Sequence, residues 1–388
     1  MSLQNSSTSS SEPETNPPVA KPRGWGDCII VSLWVVVFLG IYDVATAAMI
    51  RRPIPQKIQR FFNYGLSIEE KIAIAVGLRS EPVSVIARLG FLDPPPDQGQ
   101  PSKRRPGSPL FVASYGMSFS ADVTEGMSKV DPSITTRILV APSAPPNHAY
   151  AGYLRDRGRH DADVVMLGVL ASSVPGLLTR SMTWYFVSPY PYTYPRYVLD
   201  GQGGIKESPP LFGSFEKFRK AMDKPEEWEP FVAQAKADDP FYSDFLFRHN
   251  VTDHSVLASL MRKAWSQRLE QSVTATFHTE HGYDPDSEVI QVLRVMLVRF
   301  AEQVRADGKL PMVLLLNDRG YEDHLFRAVG PELETAGVPF MSTHSVRSSS
   351  DPKNLLLDNH FTPESNLEFG REVLRIIEVE RTKARQVP

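Results

Sequence analysis

Short apolar runs of strand type alternate with helix-like stretches from residue 110 onwards. The predicted strands are residues 110–115, 136–140, 163–168, 311–316 and 338–342. The predicted helices are residues 119–129, 148–158, 170–179, 286–306, 321–336 and 363–381. Near-continuous apolar strands that alternate with helices are typical of a parallel sheet covered on both faces. The sequence therefore predicts an α/β fold: a three-layer α/β/α, doubly wound domain with a mainly parallel five-stranded sheet.

One long segment breaks this alternation between the third and fourth predicted strands. Residues 180–285 begin with the aromatic stretch SMTWYFVSPYPYTYPRYVL and continue with several short helical patterns. We interpret the segment as a helical insertion that forms a lid or cap beside the sheet. The predicted α/β domain then extends over residues 110–388.

The N-terminal region contains an apolar segment long enough to cross a membrane. Residues 28–50 carry a single charged side chain, Asp43. We predict a transmembrane anchor within residues 25–50, preceded by a disordered tail at residues 1–24. A cleaved signal peptide and a buried helix of a soluble protein are the alternatives, because the uncharged part is short and ATAA at 45–48 resembles a cleavage site.

A helical, amphipathic segment and a proline-rich linker are predicted for residues 51–109, with Ser67 as a helix cap.

Basic residues flank the anchor on both sides, and those after it conflict with an extracytoplasmic location of the body, the part of the chain that follows the anchor. Arg51, Arg52, Lys57 and Arg60 follow the anchor, which by the positive-inside rule places the body in the cytoplasm. We expect a single-pass membrane protein whose orientation is open.

Composition excludes several functional classes. The 388-residue chain has a net charge of −3, which gives no case for nucleic-acid binding. Its single cysteine, Cys28, excludes an intramolecular disulfide and a zinc site built on cysteines. No phosphate-binding loop or dinucleotide fingerprint is present, so no cofactor is expected. The sequence gives no indication of the oligomeric state.

Candidate catalytic residues follow the first and last predicted strands. Ser118 follows the first strand, and Asp358 and His360 lie after the last strand, just before Thr362 and Pro363 begin the final helix. The carboxyl ends of parallel strands meet at one edge of the sheet, so these side chains should converge. Serine becomes a nucleophile when a correctly oriented base takes its proton. For Ser118 the alternative is a helix cap, and for Asp358 a turn cap.

These residues resemble the sequence blocks of the SGNH (GDSL-like) hydrolase superfamily. Gly116-Met117-Ser118-Phe119 is similar to the first block, Gly-Asp-Ser-Phe/Leu, with Met117 in place of Asp. The segment from Asp358 to Glu364 is similar to the last block, and ADVVMLGVLASSV to the third. The resemblance covers about 110–179 and 310–380, and it implies the same α/β fold and a Ser118-His360-Asp358 triad.

The resemblance also implies oxyanion donors, and here the chain departs from the family. Gly116 belongs to the first block, whereas Ala144 or Asn147 occupies the loop of the second-block Gly. Ser173 stands in place of the third-block Asn. We therefore expect Gly116, Asn147 and Ser173 to form the oxyanion and substrate-binding group, in altered form.

Membrane-anchored relatives in this superfamily add or remove O-acetyl groups on extracytoplasmic polysaccharides. The resemblance thus implies a serine esterase or O-acyltransferase, anchored in the bilayer through residues 28–50, that acts on acyl esters, with polysaccharide esters as candidates. The alternative is a non-catalytic glycan-binding or assembly protein on the same fold. Its sugar-stacking candidates, which packing of the loop also explains, are Trp184, Tyr190, Tyr192, Tyr194 and Tyr197.

A metal enzyme is the weakest of the interpretations. His278 and His281, in the sequence HTEH, have a spacing that allows metal ligation, but no third ligand is evident nearby. We interpret them as solvated loop residues.

Overall fold

The computed structural model describes residues 25–50, 55–79, 83, 85–95, 97 and 99–386, and the chain divides into two units, residues 1–54 and 55–388. The helices are α1 (Trp25–Ile50), α2 (Gln56–Asn63), α3 (Ile68–Ala75), α4 (Val85–Leu89), α5 (Ser118–Val130), α6 (Pro146–Asp156), α7 (Phe215–Met222), α8 (Pro225–Asp238), α9 (Asp244–Phe247), α10 (Val256–Thr274), α11 (Glu288–Ala306), α12 (His324–Thr335) and α13 (Pro363–Gln386). The strands are β1 (Phe111–Gly116), β2 (Thr135–Val140), β3 (Val164–Leu170), β4 (Arg196–Leu199), β5 (Ile205–Ser208), β6 (His278–Thr279), β7 (Gly282–Tyr283), β8 (Leu310–Leu316) and β9 (Phe340–Ser342). Short 3₁₀ helices occupy Ala171–Leu178, Met182–Trp184, Val251–His254, Thr343–Ser345 and Pro352–Asn354.

The first unit contains α1, which is predominantly apolar and carries two charged side chains, Asp27 and Asp43. In the described part of the chain it is the one helix long and apolar enough to cross a membrane. Its length and composition agree with the predicted anchor. The tail predicted to be disordered, residues 1–24, lies outside the described residues.

The second unit is built on a five-stranded sheet with the order β2-β1-β3-β8-β9. All four strand pairs are parallel. The predicted α/β class with a five-stranded parallel sheet is confirmed, and each predicted strand lies within two residues of the observed one.

Helices cover both faces of this sheet. Side chains alternate along each strand, so that in β1 Val112 points to one core, whereas Phe111 and Tyr115 point to the other. The first core includes side chains of α5 and α13, and the second includes side chains of α6, α11 and α12. Burial on both faces explains why the strands are apolar at consecutive positions.

Glycines allow α5 and α13 to approach each other closely. A Cβ atom at Gly126 of α5 would lie 2.1 Å from the backbone oxygen of Asn366 in α13. A Cβ atom at Gly370 of α13 would lie 2.5 Å from the backbone nitrogen of Met127. Any larger residue at either position would push the helices apart, so this contact fixes the start of α13 relative to α5.

The segment between β3 and β8 contains helices, as predicted, and also two antiparallel hairpins that the sequence analysis missed. These are β4–β5 and β6–β7. The insertion is fastened to α3 because Asp253 accepts hydrogen bonds from the backbone nitrogen and hydroxyl of Ser67, at 2.7 and 2.9 Å. Ser67 also caps α3, as predicted.

The proline-rich segment before β1 is attached to the sheet. The guanidinium of Arg104 pairs with Asp163, and the backbone nitrogen of Arg105 donates to the Thr135 hydroxyl at 3.0 Å. Residues 55–109 accordingly belong to the same unit as the α/β domain.

The contact between α5 and α13 makes a prediction about stability. We expect Gly126→Val to lower the free energy of unfolding by about 1–3 kcal/mol, because its side chain would overlap α13. Denaturant unfolding in detergent measures this change. The matched control is Gly152→Ala in α6, where the nearest atom to a new Cβ is 3.7 Å away, and the free energy should rise by roughly 0.5–1 kcal/mol. Equal effects of the two substitutions would contradict the packing argument.

Candidate active site

Ser118 is the first residue of α5 and does not serve as its cap. Met117 occupies the N-cap position, and its backbone oxygen accepts hydrogen bonds from the N–H groups of Ser120 and Ala121. The Met117 side chain is buried and makes no capping hydrogen bond. The hydroxyl of Ser118 is therefore available for another partner.

Small residues let the first turn of α5 lie directly on the sheet. A Cβ atom at Gly168 of β3 would lie 1.9 Å from the Ser120 hydroxyl, and one at Gly116 would lie 2.1 Å from it. Gly116 was predicted to help bind the oxyanion, and the structure gives it this packing role at the end of β1. The close approach places the N-terminus of α5 at the carboxyl edge of β1.

His360 is held in a tight turn immediately before α13. A β-bridge joins Leu355 to Phe361, and the backbone nitrogen of Leu356 donates to the His360 oxygen at 2.7 Å. Asn359 adopts a left-handed conformation with φ of 68°, which asparagine tolerates better than most residues. Thr362 accepts from the Ser365 nitrogen at 3.3 Å, in agreement with its predicted capping role.

The structure brings Ser118 and His360 into direct contact across 242 positions of sequence. The Oγ atom of Ser118 lies 2.8 Å from Nε2 of His360. The imidazole stacks on the buried ring of Phe119, with 4.5 Å between ring centroids and 18° between planes. This is the spacing that a serine nucleophile and its general base require.

Asp358 lies on the opposite side of the imidazole, in a looser arrangement. Its Oδ2 atom is 3.4 Å from Nδ1 of His360. Within the described chain, Nδ1 is buried without a hydrogen-bond partner. The Asp358 side chain is 68% exposed, and its Oδ1 accepts the backbone N–H of His360 at 3.2 Å, which lowers the pKa of the carboxyl. Asp358 thus caps the turn and also faces the imidazole. The turn cap and the triad carboxylate, which were alternatives in the sequence analysis, are therefore compatible with each other.

Asp122 is a second carboxylate near the imidazole, and the sequence analysis missed it. It is half-buried in α5, one helical turn after Ser118. Burial raises the pKa of Asp122, and the charge of His360 counteracts that rise. The four-residue spacing from Ser118 was the available signal, because residues four apart share a helix face.

The contacts of Asn147 and Ser173 argue against their predicted role as oxyanion donors. The Asn147 amide is fully buried and donates to the backbone oxygens of Gly176, Thr179 and Pro195. The Ser173 hydroxyl is buried and donates to the Leu170 oxygen at 2.7 Å. Both side chains stabilise loops at the sheet edge, so we correct this part of the prediction.

The start of α5 offers other donors for an oxyanion. The first N–H groups of a helix have no intrahelical acceptor, and those of Ser118 and Phe119 are in this position. The positive end of the helix dipole lies at the same place. Backbone N–H groups next to the nucleophile can therefore donate to the oxyanion in place of the side chains of Asn147 and Ser173.

Most of the aromatic candidates for sugar stacking are core residues. Trp184, Tyr192, Tyr194 and Tyr197 are buried, and Tyr190 is partly buried against them. Four of the five rings thus have no face available to a ligand.

The histidines of HTEH lie on the β6–β7 hairpin. The Nε2 atom of His278 contacts Nδ1 of His324 at 3.0 Å, whereas His281 is exposed. The described residues contain no group of three or more metal-ligating side chains.

Comparisons with known proteins add no assignment. No protein-family model matches the chain, and no curated protein or solved structure matches it. The interpretation of the site therefore depends on its own geometry and on the short motifs.

The exposure of the Asp358 side chain predicts that this residue contributes little to kcat. Loss of the carboxylate in a buried, hydrogen-bonded triad lowers kcat by about 10⁴-fold. We expect Asp358→Asn to lower kcat by only about tenfold, because solvent screens the carboxylate and the amide oxygen can still accept the backbone N–H of His360 that holds the turn. Steady-state kinetics on an acyl ester measures this change. A loss as large as that of Ser118→Ala would show that Asp358 closes onto Nδ1 in the working enzyme.

Proposed function

We propose that the chain is a membrane-anchored serine esterase or O-acyltransferase. The observation that carries this proposal is the 2.8 Å contact between Ser118 Oγ and His360 Nε2 at the carboxyl edge of the sheet. A serine that merely capped α5 would direct its hydroxyl to the helix, whereas this hydroxyl contacts an imidazole. The resemblance of both segments to SGNH hydrolase blocks supports the same interpretation.

The proposed reaction uses the atoms of this contact. Ser118 Oγ attacks the acyl carbonyl carbon while Nε2 of His360 takes the hydroxyl proton. The backbone N–H groups at the start of α5 stabilise the oxyanion that forms. As the carbonyl reforms, the bond to the alcohol oxygen breaks and Nε2 returns its proton to that oxygen. Water or a sugar hydroxyl then attacks the acyl carbon while Nε2 again takes the proton. The bond from that carbon to Ser118 Oγ breaks, Nε2 returns the proton to Oγ, and the carboxylic acid or the new ester leaves.

Asp358 and Asp122 support the charged state of the imidazole in this scheme. Nε2 accepts a proton only if Nδ1 carries the other ring proton, and Asp358 faces Nδ1 at 3.4 Å. Asp122 adds a second negative charge near the ring. In this scheme a loosely placed Asp358 and the nearby charge of Asp122 take the place of one carboxylate that is hydrogen-bonded to the ring.

The nucleophile assignment predicts the behaviour of two neighbouring serines. We expect Ser118→Ala to abolish labelling by a fluorophosphonate and to lower hydrolysis of p-nitrophenyl acetate by about 10³-fold or more. Ser120→Ala is the matched control, because its hydroxyl is buried nearby without a hydrogen-bond partner among the described residues. Ser120→Ala should keep both activities. Equal labelling of wild type and Ser118→Ala would refute the assignment.

A non-catalytic glycan-binding or assembly protein is the second candidate. The observations that favour it are the looseness of the Asp358–His360 contact and the internal hydrogen bonds of Asn147 and Ser173. Absence of turnover in the wild type, together with glycan binding that Ser118→Ala leaves intact, would support it.

We further propose that the second unit is extracytoplasmic, as in the membrane-anchored relatives that modify polysaccharides. A Cys28→Ser, Glu332→Cys variant places the chain's single thiol on the exposed surface of α12. A membrane-impermeant maleimide should label it in intact cells. Labelling that requires permeabilised cells would instead support the orientation indicated by the basic residues after α1.

A further inference from the structure

Helix α10 in the insertion has an apolar side that faces away from the protein. Leu260, Met261 and Trp265 are 40%, 56% and 50% exposed. Ala264 and Arg268 are also exposed, and these positions recur every three to four residues. They form one stripe on the outer face of the helix.

The middle of the inner side of α10 is polar, whereas Val256 is buried near the start of the helix and Leu269 and Val273 pack on the core near its end. Arg262 is fully buried, and its guanidinium donates to Asp253 Oδ1 at 2.7 Å and to the Phe245 oxygen at 2.8 Å. Ser259 and Ser266 are buried on the same side. Rotation of the apolar stripe inward would break the buried pair of Arg262 and Asp253, which is costly. The outward direction of the stripe is therefore fixed by the packing of α10.

Helix α2 contacts α10 and adds further exposed apolar side chains. The ammonium of Lys263 lies 4.0 Å from the ring centroid of Phe61 and 5.8 Å from that of Tyr64. Ile58, Phe61 and Tyr64 are each more than one third exposed. We define the docking face as Ile58, Phe61, Tyr64, Leu260, Met261 and Trp265.

We propose that the docking face binds the surface of the lipid bilayer in which α1 is anchored. This rests on the proposal that α1 crosses the membrane. Only residues 51–55 separate the end of α1 from the start of α2, and five extended residues span at most about 18 Å. Helix α2 is thus tethered within a short distance of the membrane interface.

Charge and side-chain type also favour a bilayer. Arg51 and Arg52 precede α2 in the sequence, Lys57 and Arg60 are part of it, and Lys263 and Arg268 belong to α10. Apolar side chains combined with basic residues close by in the sequence suit the boundary between anionic headgroups and acyl chains. Tryptophan and tyrosine are enriched at the same depth of the membrane. A second copy is a poorer occupant, because a two-fold contact would set Lys263 and Arg268 of α10 against the same cations of the other copy.

Site-directed spin labelling of the full-length chain tests the proposal. In a Cys28→Ser background, a nitroxide is attached to Met261→Cys or, as control, to the exposed Glu332→Cys on α12. Both proteins are reconstituted into vesicles of phosphatidylcholine with one third phosphatidylglycerol. The measurement is the ratio of nitroxide accessibility to oxygen, which partitions into the bilayer, and to a polar nickel chelate, which does not.

We expect this ratio to be several-fold higher at position 261 than at position 332. Equal ratios at the two positions would overturn the proposal. Low accessibility to both reagents at position 261, with spin–spin broadening that disappears on dilution with unlabelled protein, would also overturn it and assign the face to a second copy. Neither outcome depends on acyl chemistry, so the result is independent of Ser118.

Discussion

The contact between α5 and α13 is the constraint on which the candidate site depends. Ser118 is the first residue of α5, and His360 precedes the first residue of α13 by three positions. Gly126 and Gly370 remove the side chains that would keep the two helix axes apart. The 2.8 Å distance between Ser118 Oγ and His360 Nε2 is therefore a consequence of helix packing. A change that displaced α13 would move His360 without altering any residue of the site.

The sheet and the approach of Ser118 to His360 could be predicted because they follow from periodicity and topology. Runs buried on both faces are apolar at nearly every position, so β1, β3 and β8 can be recognised in the sequence. Parallel strands bring their carboxyl ends to one edge, which brings Ser118 near a histidine that lies far away in the chain. Neither step requires knowledge of side-chain contacts.

Other features depend on partners that no local pattern reveals. Asn147 follows a strand as an oxyanion donor would, but the three carbonyl oxygens that bind its amide come from residues 176–195. Asp122 can be recognised as part of the site only once His360 is known to lie near it. The hairpin strands β6 and β7 are two residues each, which is too short for alternation to be detected. Sequence position could predict where side chains gather, but not which hydrogen bonds they form.

A buried carboxylate links α10 of the insertion to the segment that begins α3. Asp253 receives hydrogen bonds from Ser67, before α3, and from Arg262 of α10. One buried carboxylate thus joins the helix that follows α2 to the helix that exposes Met261 and Trp265. Because burying an unpaired charge is unfavourable, neither helix can shift alone. The position of α3 and the rotation of α10 thus depend on the same carboxylate, which explains why the apolar stripe keeps an outward position that a freely rotating helix would not keep.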